Sequence, residues 1–193
     1  MALRNDDRVW GLPARLLHWS MAAIMIGTLG LGFYTANIVT DIYVQFELVQ
    51  IHKSWGFVVF ALAFVRVLWR WVNPTPKLPA QMPDWQVKAS HGSHLALYAL
   101  MFALPLSGWL MSSASTLQDL YGIQNKVFGL FTLPDPFVPG SDVLEDVFAW
   151  AHLLCAIALT VLLVLHAGAA VKHHLVDRDG VLTRMTTGRE QGA

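Results

Sequence analysis

Residues 146–172 read DVFAWAHLLCAIALTVLLVLHAGAAVK, and this stretch decides the fold. No charged side chain falls between Asp146 and Lys172. A helix needs roughly 20 apolar residues to cross the hydrocarbon of a bilayer, and this run is longer. Besides the Cys155 thiol, only His152 and His166 bring ionisable groups into it. Such groups are costly at membrane depth and mark function. The two histidines are 14 residues apart, which places them within about 40° of one helix face and roughly 21 Å apart along the axis. Two imidazoles on one face, one in each leaflet, imply two separate cofactor positions rather than one metal.

Three further segments complete a set of four. No charge occurs between Arg15 and Asp41 or between Lys88 and Asp119. A segment from about Phe46 to Trp71 is apolar but carries Lys53 near its start and Arg66 and Arg70 near its end. Long basic side chains snorkel from helix ends to the interface, so this segment is also read as spanning. The first segment is longer than a signal-peptide core and lacks a small-residue cleavage site, so it is read as retained. The expected helices run over about 12–36, 46–72, 89–113 and 143–174, within one domain covering 1–193. The fold class is all-α, an integral membrane four-helix bundle.

Composition agrees. Charged residues make up 13% of the chain, about half the share in soluble domains. Hydrophobic residues reach 55%, with eight tryptophans and a mean hydropathy of +0.47. Net charge is zero, so nothing points to nucleic acid, and membrane lipid is the expected surrounding. The single cysteine, Cys155, excludes an intramolecular disulfide and reads as a small buried hydrophobe.

The connections fit four spans. Asn73-Pro74-Thr75-Pro76-Lys77-Leu78-Pro79 ends the second helix and favours an extended path. A long loop from about Ala114 to Asp142 precedes the fourth helix, and a loop of that length is more often functional than idle. Its Phe128, Phe131 and Phe137 are candidates for the membrane surface, and Asp142 with Glu145 suggests a helix cap. Basic residues gather on one side: Arg4, Arg8, Arg15, Arg66, Arg70, Lys77, Lys88, Lys172, Arg178, Arg184 and Arg189. The other side has Lys53 and Lys126 against seven carboxylates. The positive-inside rule then puts both termini in the cytoplasm.

With that orientation, depth pairs the histidines. His18 starts the outward-running first helix on the cytoplasmic side, and His52 starts the inward-running second helix on the outer side. His52 therefore pairs with His152 outside, and His18 with His166 inside. Each pair offers two imidazoles from different helices, the arrangement that holds a six-coordinate haem in a bundle. A zinc site usually wants four ligands at one depth with cysteine or carboxylate help, which this sequence does not offer. Gly56, one turn after His52, suits either a flat macrocycle or helix packing. Arg15, Arg66 and Arg70 are candidates to meet the propionates of an inner haem, against plain anchoring of helix ends.

A quinone site is expected at the cytoplasmic end. His173 lies seven residues beyond His166, within about 20° of its face. Lys172, Arg70, Trp71 and His94 are the other candidates there. A histidine donates a proton near neutral pH, a cation stabilises charge developing on a quinone, and tryptophan suits the interface. His91 and His174 read as solvated. Lys53, beside His52, is a candidate outer substrate site for an anion, although the acidic outer side disfavours anion steering and suits a basic protein partner.

The ordered motifs resemble a known family. They are Leu17-His18-Trp19, Ile51-His52-Lys53-Ser54-Trp55-Gly56, Asn73-Pro74-Thr75-Pro76, His91-Gly92-Ser93-His94-Leu95-Ala96-Leu97-Tyr98, and His152 followed by His166 and Lys172-His173-His174. Together they resemble the bacterial four-helix dihaem cytochrome b561 family, related to the cytochrome b subunits of nickel–iron hydrogenases and formate dehydrogenases. The resemblance implies two haem b groups with iron held by His18, His52, His152 and His166, and electron exchange with quinone in the bacterial inner membrane. It also implies superoxide as a candidate donor and ubiquinone as acceptor. Two alternatives stand beside this superoxide:ubiquinone oxidoreductase. One is a relay subunit serving a periplasmic dehydrogenase, hydrogenase or small electron-transfer protein. The other is a haem-free bundle using its histidines for metal transport or structure.

Overall fold

The computed structural model describes residues 3–189. Its four long helices are α1 (Leu12–Asn37), α2 (Ile42–Val72), α3 (Asp84–Ser113) and α5 (Asp142–Lys172), with the short α4 (Thr116–Tyr121) between α3 and α5. Each long helix has the length and apolar composition to cross a membrane.

Local chemistry sets the helix ends. Pro13 falls in the first turn of α1, where a missing N–H is not needed. α2 begins four residues earlier than its hydropathy suggests. The Asp41 carboxylate accepts from the backbone N–H of Tyr43 and Val44 at 2.9 and 3.1 Å, an N-cap that carries the helix past the apolar boundary. Asn73 ends α2 by donating to the Trp69 carbonyl at 3.0 Å, and Pro74 blocks continuation. The cap of α5 is not Asp142. The Ser141 hydroxyl accepts from Leu144 N–H at 3.5 Å, while Asp142 accepts from the Thr116 hydroxyl at 2.8 Å. After Lys172 the chain winds into a π-turn over His173–Asp177, ending at Arg178 with φ 52°, and α6 (Val181–Thr186) follows.

The segment read as a plain loop over 114–142 is ordered. Besides α4 it holds a hairpin of β1 (Asn125–Val127) and β2 (Phe131–Leu133), antiparallel, with Val127 opposite Phe131. Phe128 and Gly129 both take positive φ, at 49° and 73°, the requirement of a type I′ turn. Phe128 tolerates this because its N–H donates to the Ser54 hydroxyl at 2.9 Å and its ring meets Trp55 edge-on at 5.2 Å. Phe137 stacks on Phe148 rather than lying free. Under the hairpin, fully buried Asn125 accepts from Ser112 at 2.7 Å and donates to Asp135. Strands of three residues are too short for alternation to reveal them.

The described residues fall into two compact units. The first takes the chain up to Met21, Leu62–Ala99 and everything from Leu159. The second takes Ala22–Ala61 and Leu100–Ala158. Among the described residues few apolar side chains are buried, Met21, Val59 and Leu159 among them, while Leu16, Ile26, Phe33, Trp150 and Val164 are among the large apolar side chains left exposed. An outward apolar surface suits lipid.

Candidate haem sites

In the second unit, His52 of α2 faces His152 of α5 with ring centroids 6.2 Å apart and planes at 80°. Each ring is held from a third helix. His52 Nδ1–H donates to the Thr28 carbonyl of α1 at 3.1 Å. His152 Nδ1–H donates to the Leu104 carbonyl of α3 at 3.0 Å and lies 3.2 Å from the Ser107 hydroxyl. A carbonyl only accepts, so the hydrogen sits on Nδ1 and the Nε2 lone pair is bare, as metal ligation requires.

A repeated device brings these rings to the carbonyls. Gly32 stands four residues after Thr28, and Gly108 four residues after Leu104. A Cβ on Gly32 would come within 2.8 Å of His52 Cε1, and one on Gly108 within 2.9 Å of His152 Cε1. The residue at i+4 covers the carbonyl at i in a helix. Only glycine leaves that carbonyl's second lone pair open to an imidazole from a neighbouring helix. The sequence reading missed both glycines. A glycine inside a spanning helix usually signals packing, and the carbonyl it uncovers carries no sequence mark.

The first unit gathers His18 of α1, His94 of α3 and His166 of α5. His166 lies 6.1 Å from His18 and 5.5 Å from His94 by ring centroids. Arg66 donates to His18 Nδ1 at 3.1 Å, and Trp19 meets the His18 ring edge-on at 5.1 Å. Arg66 and Arg70 also stand over the Tyr98 ring, at 5.8 and 5.5 Å. Both guanidinium groups therefore lie at this histidine cluster. Arg15 turns elsewhere and donates to the Thr186 carbonyl at 2.8 Å. The neighbouring Trp19 indole N–H donates to Met185, so α6 occupies both side chains.

The remaining candidates are engaged differently from expectation. Lys53 donates to the Gln118 side chain at 3.0 Å, which ties it to α4. His173 Nδ1 lies 2.6 Å from Asp179 and 3.1 Å from Asp177, and Lys172 pairs with Asp177 at 2.6 Å. The sequence reading set His173 and Lys172 toward Arg70 and Trp71, but the π-turn draws them to these carboxylates. Trp71 is 78% exposed. His91 and His174 are exposed, as expected.

These residues fit haem. An imidazole nitrogen lies about 2.0 Å from a first-row metal, so two rings across one metal keep centroids roughly 6 Å apart. Both pairs predicted by depth meet that spacing.

Comparison with known proteins agrees. Residues 9–188 match the family described as prokaryotic cytochrome b561. The chain is 34% identical to cytochrome b561 homolog 2 of Escherichia coli (strain K12) over 96% of this chain and 95% of that one. It is 29% identical to cytochrome b561 homolog 1 of the same organism, over 73% and 76%. It is 32% identical to the probable superoxide oxidase CybB of Yersinia pestis, over 70% and 73%. With four apolar helices and histidine pairs at haem spacing, the chain belongs to the prokaryotic cytochrome b561 family, multi-pass membrane proteins that bind haem b and transfer electrons.

Proposed function

We propose that this cytochrome carries two haem b groups in the bacterial inner membrane and moves electrons across the bilayer between an outer-side partner and the quinone pool. His52 and His152 hold the outer group, His18 and His166 the inner. The observation that carries this reading is the pair of imidazole couples at 6.2 and 6.1 Å, each drawn from two helices. Haem iron held by two imidazoles has no open coordination position and exchanges single electrons by outer-sphere transfer. At the outer site the chain's own residues orient both rings and fix their tautomers through the Thr28 and Leu104 carbonyls. Family membership sets aside the haem-free alternative.

Charge orients the protein. Eleven of its thirteen basic residues belong to the first unit, which the positive-inside rule assigns to the cytoplasmic side. The quinone end is assigned to the same side. There Asp177 and Asp179 hold His173 through Nδ1, leaving Nε2 to pass a proton. Arg70 offers a cation for charge developing on a quinone, with His94 nearby and Trp71 at the interface. The similarity to a probable superoxide oxidase supports superoxide as the outer donor, and ubiquinone is the acceptor that the motif resemblance implies. A second reading, a relay for a periplasmic electron-transfer protein, is favoured by one observation. The second unit holds seven carboxylates against Lys53 and Lys126, a balance that suits a basic protein more than an anion.

The test is to expose the purified protein separately to superoxide and to ubiquinol while following both haems optically. Reduction by superoxide, with reoxidation by ubiquinone, supports the oxidoreductase. Haems inert to superoxide yet reduced by ubiquinol support the relay. Haems unreactive to both exclude a quinone-linked role.

A further inference from the structure

The turn after α5 gathers metal-ligating side chains that neither histidine pair uses. His173 Nδ1 lies 2.6 Å from Asp179 Oδ2 and 3.1 Å from Asp177 Oδ2. One ligand atom from each of the three falls within 4.8 Å of the others, and among the described residues this is the one such group of histidine, cysteine or carboxylate side chains. We propose that His173, Asp177 and Asp179 form a binding site for a divalent first-row metal ion, with Zn²⁺ the best match. Binding there requires neither haem nor quinone.

The backbone builds the cluster. In a continued α-helix residue 179 would point about 120° away from residue 173. Instead the π-turn ends at Arg178 in the left-handed region, at φ 52°, and the reversal returns Asp179 to His173. Asp179 Oδ1 accepts from the Val181 N–H at 3.1 Å. That bond orients the carboxylate from behind, as outer hydrogen bonds do for metal ligands, and leaves Oδ2 facing the imidazole. The His173 and Asp179 side chains are only 15% and 16% exposed, so water competes weakly for them.

The donor set selects the ion. One imidazole nitrogen with two carboxylate oxygens suits zinc and its first-row neighbours, whereas Mg²⁺ and Ca²⁺ prefer oxygen alone. Adjacent donors about 2.0–2.1 Å from such an ion stand roughly 3 Å apart, close to the spacing of His173 from either carboxylate. An ionised carboxylate only accepts, so without metal His173 Nδ1 carries a hydrogen toward Asp179. The ion takes that hydrogen's place, and the bound ring carries its proton on Nε2. Lys172 is the competitor. Its Nζ lies 2.6 Å from the same Asp177 oxygen, so a doubly charged ion and this ammonium contend for one carboxylate.

The test uses the full-length, haem-loaded protein in detergent, with Zn²⁺ as the probe and bound zinc counted by equilibrium dialysis. The parent should hold a single Zn²⁺ per chain that excess Mg²⁺ does not displace. Asp179→Asn, which keeps the side-chain shape, and His173→Ala should each weaken binding by about tenfold or more. Lys172→Met should tighten it, and His174→Ala, at the exposed neighbouring histidine, should bind as the parent does. Zn²⁺ should also slow tryptic cleavage after Arg178 in the parent but not in Asp179→Asn. The haem spectrum reports folding in every variant. Zinc held equally by the parent and Asp179→Asn, or lost in His174→Ala, is adventitious surface binding and overturns the proposal, as does a parent that binds no zinc.

Discussion

Gly32 and Gly108 carry the geometry of the proposed outer site without contributing an atom to its chemistry. Each uncovers a carbonyl that fixes an imidazole tautomer, so a methyl group at either position collides with a ring atom within 2.9 Å. Gly32→Ala and Gly108→Ala should therefore displace His52 and His152, costing about 1–3 kcal/mol of packing. Absorption spectroscopy should show a shifted or lost outer haem with the inner one intact. Gly92→Ala is the control, since its Cβ meets nothing within 4 Å. It should leave both haems unchanged and stabilise the helix by up to about 1 kcal/mol. His173 makes the other residue-scale case. His173→Ala should retain both haems and slow their reoxidation by ubiquinone severalfold in stopped-flow measurements, with reduction from the outer side unchanged. The approach of His52 to His152 and of His18 to His166 was legible from helix rise and direction. The Arg66 contact to His18 was not, because hydropathy and charge counting pair an arginine with a carboxylate or an interface, never with a neutral imidazole.

Among elements, the four long helices were legible because absent charge over more than 20 residues is a signal no loop imitates. Their ends were less so. Asp41 extends α2 and Ser141 replaces Asp142 as the cap of α5, since short polar side chains compete for that role on geometry alone. The hairpin of β1 and β2 was illegible for a different reason. Its stability comes from a polar network beneath it, not from an alternating pattern. Asn125 is completely buried, between Ser112 and Asp135. Asn125→Leu leaves those groups without their partner, at a cost of about 1–3 kcal/mol each. Limited proteolysis should then cut the variant at Phe128–Leu130 faster than the parent, while haem content stays the same.

On the scale of the whole molecule, charge asymmetry orients the chain and cofactor content defines it. The basic residues of the first unit predict a cytoplasmic location for the C-terminal segment and a periplasmic one for Pro136. A reporter inserted near Pro136 should be active only in a periplasm-dependent form, and one fused after Ala193, outside the described residues, only in a cytoplasmic form. The opposite pattern would reverse the direction assigned to electron flow. The central claim, two haems on two histidine pairs, is tested most directly by counting haem per chain in the parent and in two variants. The parent should bind two haem b groups, His152→Ala only the inner one and His166→Ala only the outer one, with distinct residual spectra. A His152→Ala protein that still binds two haems with unchanged spectra would contradict the account.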